Sequence, residues 1–276
     1  MTSSAGILWV VATPIGNLDD LSPRAAEVLR TVRIVAAEDT RHSAPLLARV
    51  GSGARMFALH DHNEREQSAR IVEEILAGND VALIADAGTP LISDPGFRLV
   101  RAVREAGCKV SPVPGPCAAI AALSVAGLPS DRFVFEGFLP AKSAARRERM
   151  SALVAEPRTL IFYESSHRIV ESVADAIVVF GAEREAVLAR ELTKLFETVI
   201  AAPLREIAER LVADANQQRG EFVLLVAGAG EDDADARLAE GKRVFTLLRD
   251  ELAPAKAAKL AAAITGAPRK ALYHVD

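Results

Sequence analysis

Short apolar runs alternate with helical segments through the first 116 residues, and no other feature of the sequence constrains the fold as strongly. The runs compatible with buried strands cover residues 7–13, 32–37, 55–59, 81–84 and 109–113. Between them, Ser22-Pro23 has the cap-and-proline pattern of a helix start, and a helix over 65–77 would end at Gly78. Such alternation is typical of right-handed βαβ units and a parallel sheet. We therefore predict a parallel-sheet α/β domain over residues 1–116.

The pattern changes after Pro116, where a helix over 117–126 precedes a second set of strands and helices. Strands are predicted over 132–136, 159–163, 186–189, 197–200 and 222–226, with helices over 143–155, 168–179 and 203–213. The gap between Arg190 and Glu197 is too short for a helical crossover, so at least one pair of strands must be antiparallel. We predict a mixed-sheet α/β domain over 117–230. From Glu231 the chain becomes charged and helical, which predicts a helical extension over 231–276.

One loop, residues 85–96, combines groups that a binding site needs. It follows a predicted buried strand, and Gly88 and Pro90 exclude regular structure within it. Asp94-Pro95 predicts the start of the next helix, with a capping carboxylate before a proline. In open α/β sheets, ligands collect outside the carboxyl ends of the strands, where this loop would lie. Its glycine backbone, hydroxyls and carboxylates make it a candidate site, although the same residues could form no more than a tight connection.

Composition restricts the class of protein. Half of the 276 residues are apolar, a quarter are charged, and the formal net charge is −4. This balance argues against a protein that coats nucleic acid nonspecifically, but it does not exclude a local basic face. No apolar run approaches the length of a membrane span and the N-terminus lacks a leader pattern, so we expect a cytoplasmic protein. Cys108 and Cys117 fit neither a disulfide framework nor metal-ligand spacing.

Several familiar chemistries have no motif in this chain. The first strand-to-helix turn, residues 13–17, lacks the G-x-G-x-x-G of dinucleotide sites, and neither a P-loop nor a G-x-S-x-G elbow is present. His60 and His62, with Asp61 and Glu64, could hold a metal, but a polar rim is favoured and we predict no metal site. An edge of glycine, hydroxyl and carboxylate groups suits a ligand with amine, sulfonium and ribose groups better than a polyphosphate. S-adenosylmethionine is compatible with that edge without being required by it.

A set of motifs occurs in the same order along this chain as in a known family. They are Ala12–Leu18, Ala37–Arg41, His60–Glu64, Asp86–Gly96, Pro114–Ala119, Glu136–Pro140, Phe162–Arg168 and Ala189–Lys194. With these motifs, residues 6–228 resemble the tetrapyrrole methylase superfamily, the class III methyltransferases, and within it the branch that methylates small-subunit ribosomal RNA. The central loop starts with Ala85 where many relatives have serine, and the resemblance does not extend to the tail.

The resemblance implies a fold, an activity and partners. It implies two α/β domains with S-adenosylmethionine in the cleft between them, and a homodimer. The implied reaction is methylation of the ribose 2′-oxygen of cytidine 1402 in 16S rRNA, in the decoding centre of the small ribosomal subunit. Assembled subunits would then present the RNA target.

The resemblance also implies which residues hold the cofactor. Phe162 and Tyr163 would pack against the adenine, but neighbouring strand residues face opposite sides, so only one of them can do so. The alternative for Phe162 is the core, and Asp86 could instead cap a turn. The remaining expected cofactor residues are Pro14, Gly16, Asp86, Ala87, Gly88, Thr89, Pro90, Ile92, Asp94, Gly115, Pro116, Cys117 and Ala118.

A ribose hydroxyl is a poor acid, so methyl transfer to it needs a nearby base or cation. We expect Lys194 with Glu191, or the cluster containing Glu38 and Asp39, to take this role; His60, His62 and Glu164 are further candidates. An ordinary Glu38–Arg41 ion pair is the alternative for that cluster.

RNA phosphates require cations, and a basic group near the start of the helix at 143 is the best candidate. Its alternative is an ordinary solvated helix face. His60 and His62 could also stack an unpaired cytosine. The expected RNA-binding residues are Arg41, His60, His62, Asn63, Lys142, Arg146, Arg147 and Arg168, with Arg149 in the same basic group.

Two other functions compete with this interpretation. A corrin or precorrin methyltransferase of the same superfamily would leave the basic helix and the His-Asn-Glu cluster without a role. A non-catalytic module that binds S-adenosylmethionine and RNA would use the same cofactor motifs without turnover. In the tail, we hypothesise RNA or subunit contacts by Lys242, Arg243, Lys256, Lys259, Arg269 and Lys270.

Overall fold

The computed structural model describes residues 5–60, 62–230 and 234–273, and the chain forms two compact units. The first comprises Met1–Ala121 together with Leu192–Phe196, and the second comprises Ala122–Glu191 and Glu197–Asp276. The domain boundaries predicted after residues 116 and 230 remain predictions. Within the described ranges, no helix is both long enough and apolar enough to span a bilayer.

The first unit contains a five-stranded sheet in which every neighbouring pair is parallel, as predicted. The sheet order is β3-β2-β4-β1-β5. The strands are β1 Ile7–Val11, β2 Ile34–Ala37, β3 Arg55–Ala58, β4 Val81–Ile84 and β5 Lys109–Val113. The helices are α1 Pro23–Thr31, α2 Thr40–Arg49, α3 Glu64–Leu76, α4 Phe97–Glu105 and α5 Ala118–Ala126, the last continuing into the second unit.

Helices cover both faces of this sheet, and that arrangement fixes where a ligand can bind. Helices α1 and α2 pack on one face, around a core that includes Val28 and Leu47. Helices α3 and α4 pack on the other, around Ile71 and Leu99. Strand β4 lies between β2 and β1, whose following helices are on the opposite face from α4. The loop after β4 therefore lies at a topological switch point, where open α/β sheets form their binding crevice.

The second unit contains a mixed sheet, also as predicted. Its order is β6-β7-β10-β8-β9, with β6 and β7 parallel and every other neighbouring pair antiparallel. The β8–β9 pair is the antiparallel one that the short gap required. The strands are β6 Phe133–Phe138, β7 Thr159–Ser165, β8 Glu185–Arg190, β9 Thr198–Pro203 and β10 Glu221–Val226; the helices are α6 Ser143–Ser151, α7 Ile169–Phe180 and α8 Leu204–Ala213.

The tail is helical, as predicted. Helix α9 spans Ala234–Arg249, α10 spans Pro254–Thr265, and a 3₁₀ turn covers Arg269–Tyr273. These three elements enclose a small core of their own that includes Phe245 and Leu272. Residues 231–233 and 274–276 of the predicted extension lie outside the described residues, as does Asp61.

The start of helix α4 differs from the prediction. The helix begins at Phe97 rather than at Pro95, so Asp94 is not its cap. Instead, a carboxylate oxygen of Glu64, on α3, accepts hydrogen bonds from the Gly96 N–H (3.0 Å) and the Arg98 N–H (2.8 Å). Gly96 has a φ of +126°, and a Cβ there would lie 2.8 Å from Leu83 Cδ2, so glycine fits where other residues would be strained. Because Glu64 caps α4 from another helix, Asp94 remains part of the loop before it.

Removing the Glu64 carboxylate should destabilise the first unit. In Glu64→Ala the two N–H groups lose their acceptor in a buried setting, so we expect a loss of about 1–2 kcal/mol in the free energy of unfolding. Urea denaturation measures this. Glu66→Ala is the matched control, because Glu66 is two residues further along α3 and exposed, and it should change the stability little. Equal midpoints for the two variants would show that Glu64 does not cap α4.

Candidate functional site

Three loops at the carboxyl edge of the first sheet are joined into one surface. Thr13 and Gly88 exchange backbone hydrogen bonds of 2.9 and 3.1 Å, which pairs the loop after β1 with the loop after β4. The Thr89 hydroxyl donates to the Pro116 carbonyl oxygen at 2.8 Å, which ties the β4 loop to the loop after β5. Bonds between loops thus bring together the loops that carry the predicted cofactor residues of the first unit.

The glycines of these loops are required by packing between the loops themselves. Gly88 has a φ of +82°, and a Cβ on it would lie 3.2 Å from Ile15 Cγ2. A Cβ on Gly115 would lie 3.0 Å from the Cβ of Ala12. Close approach of loop to loop therefore accounts for both positions, and a tightly packed edge also holds its N–H groups in place.

The β4 loop contains two strained residues next to its carboxylates. Leu91 and Ser93 both have a φ of 72°, in the left-handed region that non-glycine residues rarely adopt. Such strain persists only where surrounding contacts enforce it, and it concentrates at functional sites. Here it shapes the backbone on either side of Ile92, immediately before Asp94.

Three carboxylates meet at the ends of β2 and β4. Burial of Asp94, followed by repulsion from Glu38 and Asp86, raises the pKa of Asp94 to about 7. One oxygen of Asp86 accepts a hydrogen bond from the Asp39 N–H at 3.0 Å, so the loops after β2 and β4 are also joined. Near neutral pH Asp94 is therefore partly protonated and partly ionised. Such a half-buried negative group favours a cationic ligand group.

Asp39, a predicted catalytic residue, has a structural role in this cluster. Its carboxylate caps helix α2 through the Arg41 N–H at 2.8 Å and pairs with the Arg41 guanidinium at 2.8 Å. The guanidinium lowers the pKa of Asp39 to about 2. A carboxylate with that pKa is a weak proton acceptor, and Arg41 is engaged by it although most of its side chain is exposed.

The two preferred catalytic residues belong to different units. Lys194 is part of the first unit, and its aliphatic stem lies over the β1 loop: a Cβ on Gly16 would be 2.3 Å from Lys194 Cγ. Glu191 belongs to the second unit, where its carboxylate accepts from the Glu221 N–H at 3.0 Å. Glycine at position 16 therefore makes room for the lysine, and Glu191 is anchored at the start of β10.

The structure corrects the expected surface position of Arg146. Its side chain is fully buried, its Nε donates to Asp175 Oδ2 at 2.7 Å, and a second nitrogen donates to the Ala141 carbonyl oxygen at 3.2 Å. A guanidinium held in this way is not available to a phosphate. Lys142 is exposed, and Arg147 is half-exposed while paired with Asp175.

Arg168 is largely enclosed as well. It pairs with Glu164 at 2.8 Å and donates to the Leu139 carbonyl oxygen at 3.2 Å. The same glutamate accepts from the Ser172 hydroxyl at 2.7 Å, so its carboxylate is fully committed within the second unit. Glu164 thus supports Arg168, and Arg168 supports the backbone after β6.

Phe162 and Tyr163, the two candidate adenine contacts, face opposite sides of β7, as strand alternation requires. Phe162 is fully buried in the core beneath α6, α7 and α8, so its alternative interpretation is the correct one and it is not accessible to a cofactor. Tyr163 faces the other way and is half-buried. Its ring meets Phe135 and Phe138 at centroid distances of 5.0 and 5.5 Å.

The histidine pair lies in the turn after β3. The His60 and His62 side chains are exposed, with ring centroids 6.1 Å apart in an edge-to-face arrangement. Asn63 closes this turn, since its oxygen accepts from the His60 N–H at 2.9 Å and its amide donates to the Ala58 carbonyl oxygen. Among the residues that the structure describes, which omit Asp61, no group of three or more His, Cys, Asp or Glu is arranged to hold a metal ion.

Comparison with known proteins shows the family of this chain. Residues 8–208, well over half of the chain, match the model of the tetrapyrrole (corrin/porphyrin) methylases. The chain belongs to the tetrapyrrole methylase family. Residues 232–275 match a second model, described as the RsmI C-terminal HTH domain, so the tail that lacked a recognisable motif also has relatives.

Full-length relatives of this tetrapyrrole methylase are known. It is 59% identical to ribosomal RNA small subunit methyltransferase I of Xylella fastidiosa, over 98% of this chain and 99% of the relative. It is 60% identical to the protein of that name from Pseudomonas aeruginosa, over 98% of this chain and 96% of the relative. A solved uroporphyrin-III C-methyltransferase from Thermus thermophilus, complexed with S-adenyl homocysteine, matches 80% of this chain and 97% of its own at 18% identity and a TM-score of 0.55. That last likeness confirms the predicted fold.

Two features of the candidate site were not found from the sequence. Burial raises the pKa of Asp94, and repulsion from Glu38 adds to it; Glu38 is distant in sequence and is brought near by the adjacency of β2 and β4. The aromatic contact of Phe138 with Tyr163 depends on an irregularity in β6. The sequence did carry a signal for the second feature, because three phenylalanines at 133, 135 and 138 surround Gly137.

The raised pKa makes stability depend on pH. Because the folded-state pKa of Asp94, about 7, exceeds the unfolded value of about 4, its ionisation opposes folding. Stability therefore falls as the pH rises from about 4 to about 7 and is level above that range. Asp94→Asn should raise the free energy of unfolding at pH 8 by roughly 1–2 kcal/mol after allowing for solvent screening, and by much less at pH 5. Denaturant titrations at the two pH values measure this. Asp131→Asn, at an exposed carboxylate, is the control, and an equal effect of Asp94→Asn at both pH values would contradict the raised pKa.

Proposed function

We propose that this chain methylates the ribose 2′-oxygen of cytidine 1402 in 16S rRNA, with S-adenosylmethionine as the methyl donor. The observation that carries the proposal is 59% identity, over 98% of the chain, to a protein named ribosomal RNA small subunit methyltransferase I. The atom and the nucleotide come from the family resemblance of the sequence motifs. Fold likeness at 18% identity would by itself leave the substrate open.

The residues at the edge of the first sheet fit S-adenosylmethionine. The cofactor carries a sulfonium, an amino group and a ribose, and the half-buried carboxylates of Asp86 and Asp94 supply negative charge for its cationic part. Thr89 and the bonded loops after β1, β4 and β5 supply fixed backbone groups. We assign the cofactor to Pro14, Gly16, Asp86, Ala87, Gly88, Thr89, Pro90, Ile92, Asp94, Gly115, Pro116, Cys117 and Ala118, with Tyr163 as a candidate contact for the adenine.

The reaction demands little chemistry from the protein beyond placement and proton removal. S-adenosylmethionine supplies a methyl group that is already activated on sulfur. The chain must hold the ribose 2′-oxygen in line with that group and help its proton depart. Lys194, packed over Gly16 at the β1 loop, is our first candidate to stabilise the developing negative charge. Glu38, which lies beside Asp94 in the carboxylate cluster, is the candidate proton acceptor.

Methyl transfer to purified small ribosomal subunits that lack the modification tests this proposal. We expect incorporation from labelled S-adenosylmethionine, mapped to the single ribose of cytidine 1402, and a loss of at least tenfold in kcat for Lys194→Ala because a charge-stabilising group is removed. Lys109→Ala, at the amino end of β5, should behave like the wild type. Naked 16S rRNA serves as the comparison substrate.

Two other outcomes would replace the proposal. Label transferred to a precorrin or uroporphyrin ring and not to RNA would identify a small-molecule methyltransferase. Cofactor binding without transfer to either substrate would identify a non-catalytic module that binds S-adenosylmethionine.

We further propose that the C-terminal helices contact RNA phosphates. Between residues 237 and 273 the chain has eight Lys or Arg and three Asp or Glu, although its net charge is −4. On α10, Lys256 and Lys259 are exposed, while Ala257, Ala258 and Ala261 face the small core. Charge complementarity with a phosphate backbone thus supports RNA as the partner of this face.

Neutralising the two lysines should weaken RNA binding and its dependence on salt. For Lys256→Ala/Lys259→Ala we expect the slope of log K against log salt to fall by up to about two for small-subunit binding. Filter binding over a series of salt concentrations measures the slope. Lys109→Ala is the control, and an unchanged slope in the double variant would exclude α10 from the interface.

The resemblance also supports a cytoplasmic homodimer. Light scattering with size-exclusion chromatography of the full chain measures its mass directly, and a monomer at micromolar concentration would remove that part of the proposal.

A further inference from the structure

Three aromatic side chains form a cluster on strands β6 and β7. Tyr163 contacts Phe135 and Phe138 edge-to-face, with centroid distances of 5.0 and 5.5 Å and interplanar angles of 73° and 64°. Phe138 is 56% exposed although it is a large apolar residue supported by another ring. A ring that is held from one side and open on the other can receive a further planar group.

An irregularity in β6 creates this arrangement. The pairing of β6 with β7 shifts between Phe135 and Gly137, and Gly137 has a φ of +66°. The shift places Phe138 opposite Tyr163 in the register, on the side away from buried Phe162. Bulges commonly re-aim a side chain near a functional site. Without the extra residue, strict alternation would turn Phe138 away from Tyr163.

Two enclosed arginines hold the backbone that follows Phe138. Arg146 donates to the carbonyl oxygens of Pro140 (3.5 Å) and Ala141 (3.2 Å), and Arg168 donates to that of Leu139 (3.2 Å). Asp175 and Glu164 neutralise the two guanidinium groups. Three consecutive carbonyl groups are thus fixed by buried charge, which limits the freedom of the exposed ring. A ring fixed in advance loses little entropy when it binds.

Basic side chains follow the ring in the sequence. Lys142 is exposed, lies four residues after Phe138 and directly precedes α6, and Arg147 on α6 is half-exposed. Single-stranded RNA is bound by aromatic faces that stack its bases together with cations that contact its phosphates. An aliphatic protein partner would not use these cations.

We propose that Phe138, supported by Tyr163 and Phe135, stacks an unpaired base of the ribosomal RNA while Lys142 contacts a neighbouring phosphate. This inference rests on the proposed function, because it takes small-subunit RNA as the substrate. It adds a base-binding site on the second unit to the cofactor edge on the first. It also explains buried Arg146 and partly buried Arg168, since their hydrogen bonds fix the loop that presents the ring.

Substitutions at Phe138 test the stacking. For Phe138→Ala we expect the KM for unmodified small subunits to rise about tenfold, with kcat, the Kd for S-adenosylmethionine and the melting temperature unchanged. Phe138→Tyr should restore the KM because it keeps the ring, whereas Phe138→Leu, which keeps apolar area without a ring, should not. Phe97→Ala is the matched control, because Phe97 is 64% exposed on α4 of the first unit.

Each alternative gives a different result. Full activity of Phe138→Leu would show apolar packing in place of stacking, and an unchanged KM in Phe138→Ala would exclude the site. A weaker Kd for S-adenosylmethionine in Phe138→Ala would assign the ring to the cofactor, and a change in its oligomeric mass would assign it to self-association. A wild-type chain that methylates no ribosomal RNA would overturn the proposed function as well, which separates that failure from a failure of stacking alone.

Discussion

The paired backbone hydrogen bonds between Thr13 and Gly88 are the contact on which the rest of the site depends. They join the loops of two neighbouring strands whose helices lie on opposite faces of the sheet, so they close the crevice from its base. The Thr89–Pro116 and Asp39–Asp86 bonds extend the same join to the loops after β5 and β2. Because each of these bonds joins two loops, a misplaced loop would break bonds to its neighbours as well.

Electrostatic roles at this edge follow from the partner of each carboxylate. Asp39 is paired with a guanidinium and is a fixed negative charge, with its pKa lowered to about 2. Burial, followed by repulsion from Glu38 and Asp86, raises the pKa of Asp94 to about 7. Neighbouring groups of the same chemical type thus differ in proton affinity by orders of magnitude. A cationic ligand near Asp94 would favour its ionised form and so lower that pKa, which couples binding to proton release.

The sequence predicted what local patterns determine and missed what distant residues determine. Strands β4 and β5 begin and end at the predicted residues, because Gly, Pro and Asp bound their apolar runs. The start of α4 was predicted wrongly because its cap, Glu64, comes from another helix. Arg146 resembled its exposed neighbours until Asp175, 29 residues further along the chain, was seen to bury it. The individual roles of the site residues depend on such pairings, and no local pattern encodes them.

The first unit is discontinuous in sequence, since Leu192–Phe196 belongs to it although β8 and β9 on either side belong to the second sheet. On a translating ribosome, residues up to 121 emerge well before this segment does. The side chain of Lys194, which covers the β1 loop at Gly16, is therefore synthesised only after most of the second sheet. A nascent or truncated chain that stops before residue 192 would lack the lysine stem over the β1 loop, so the order of synthesis itself delays the completion of the first unit.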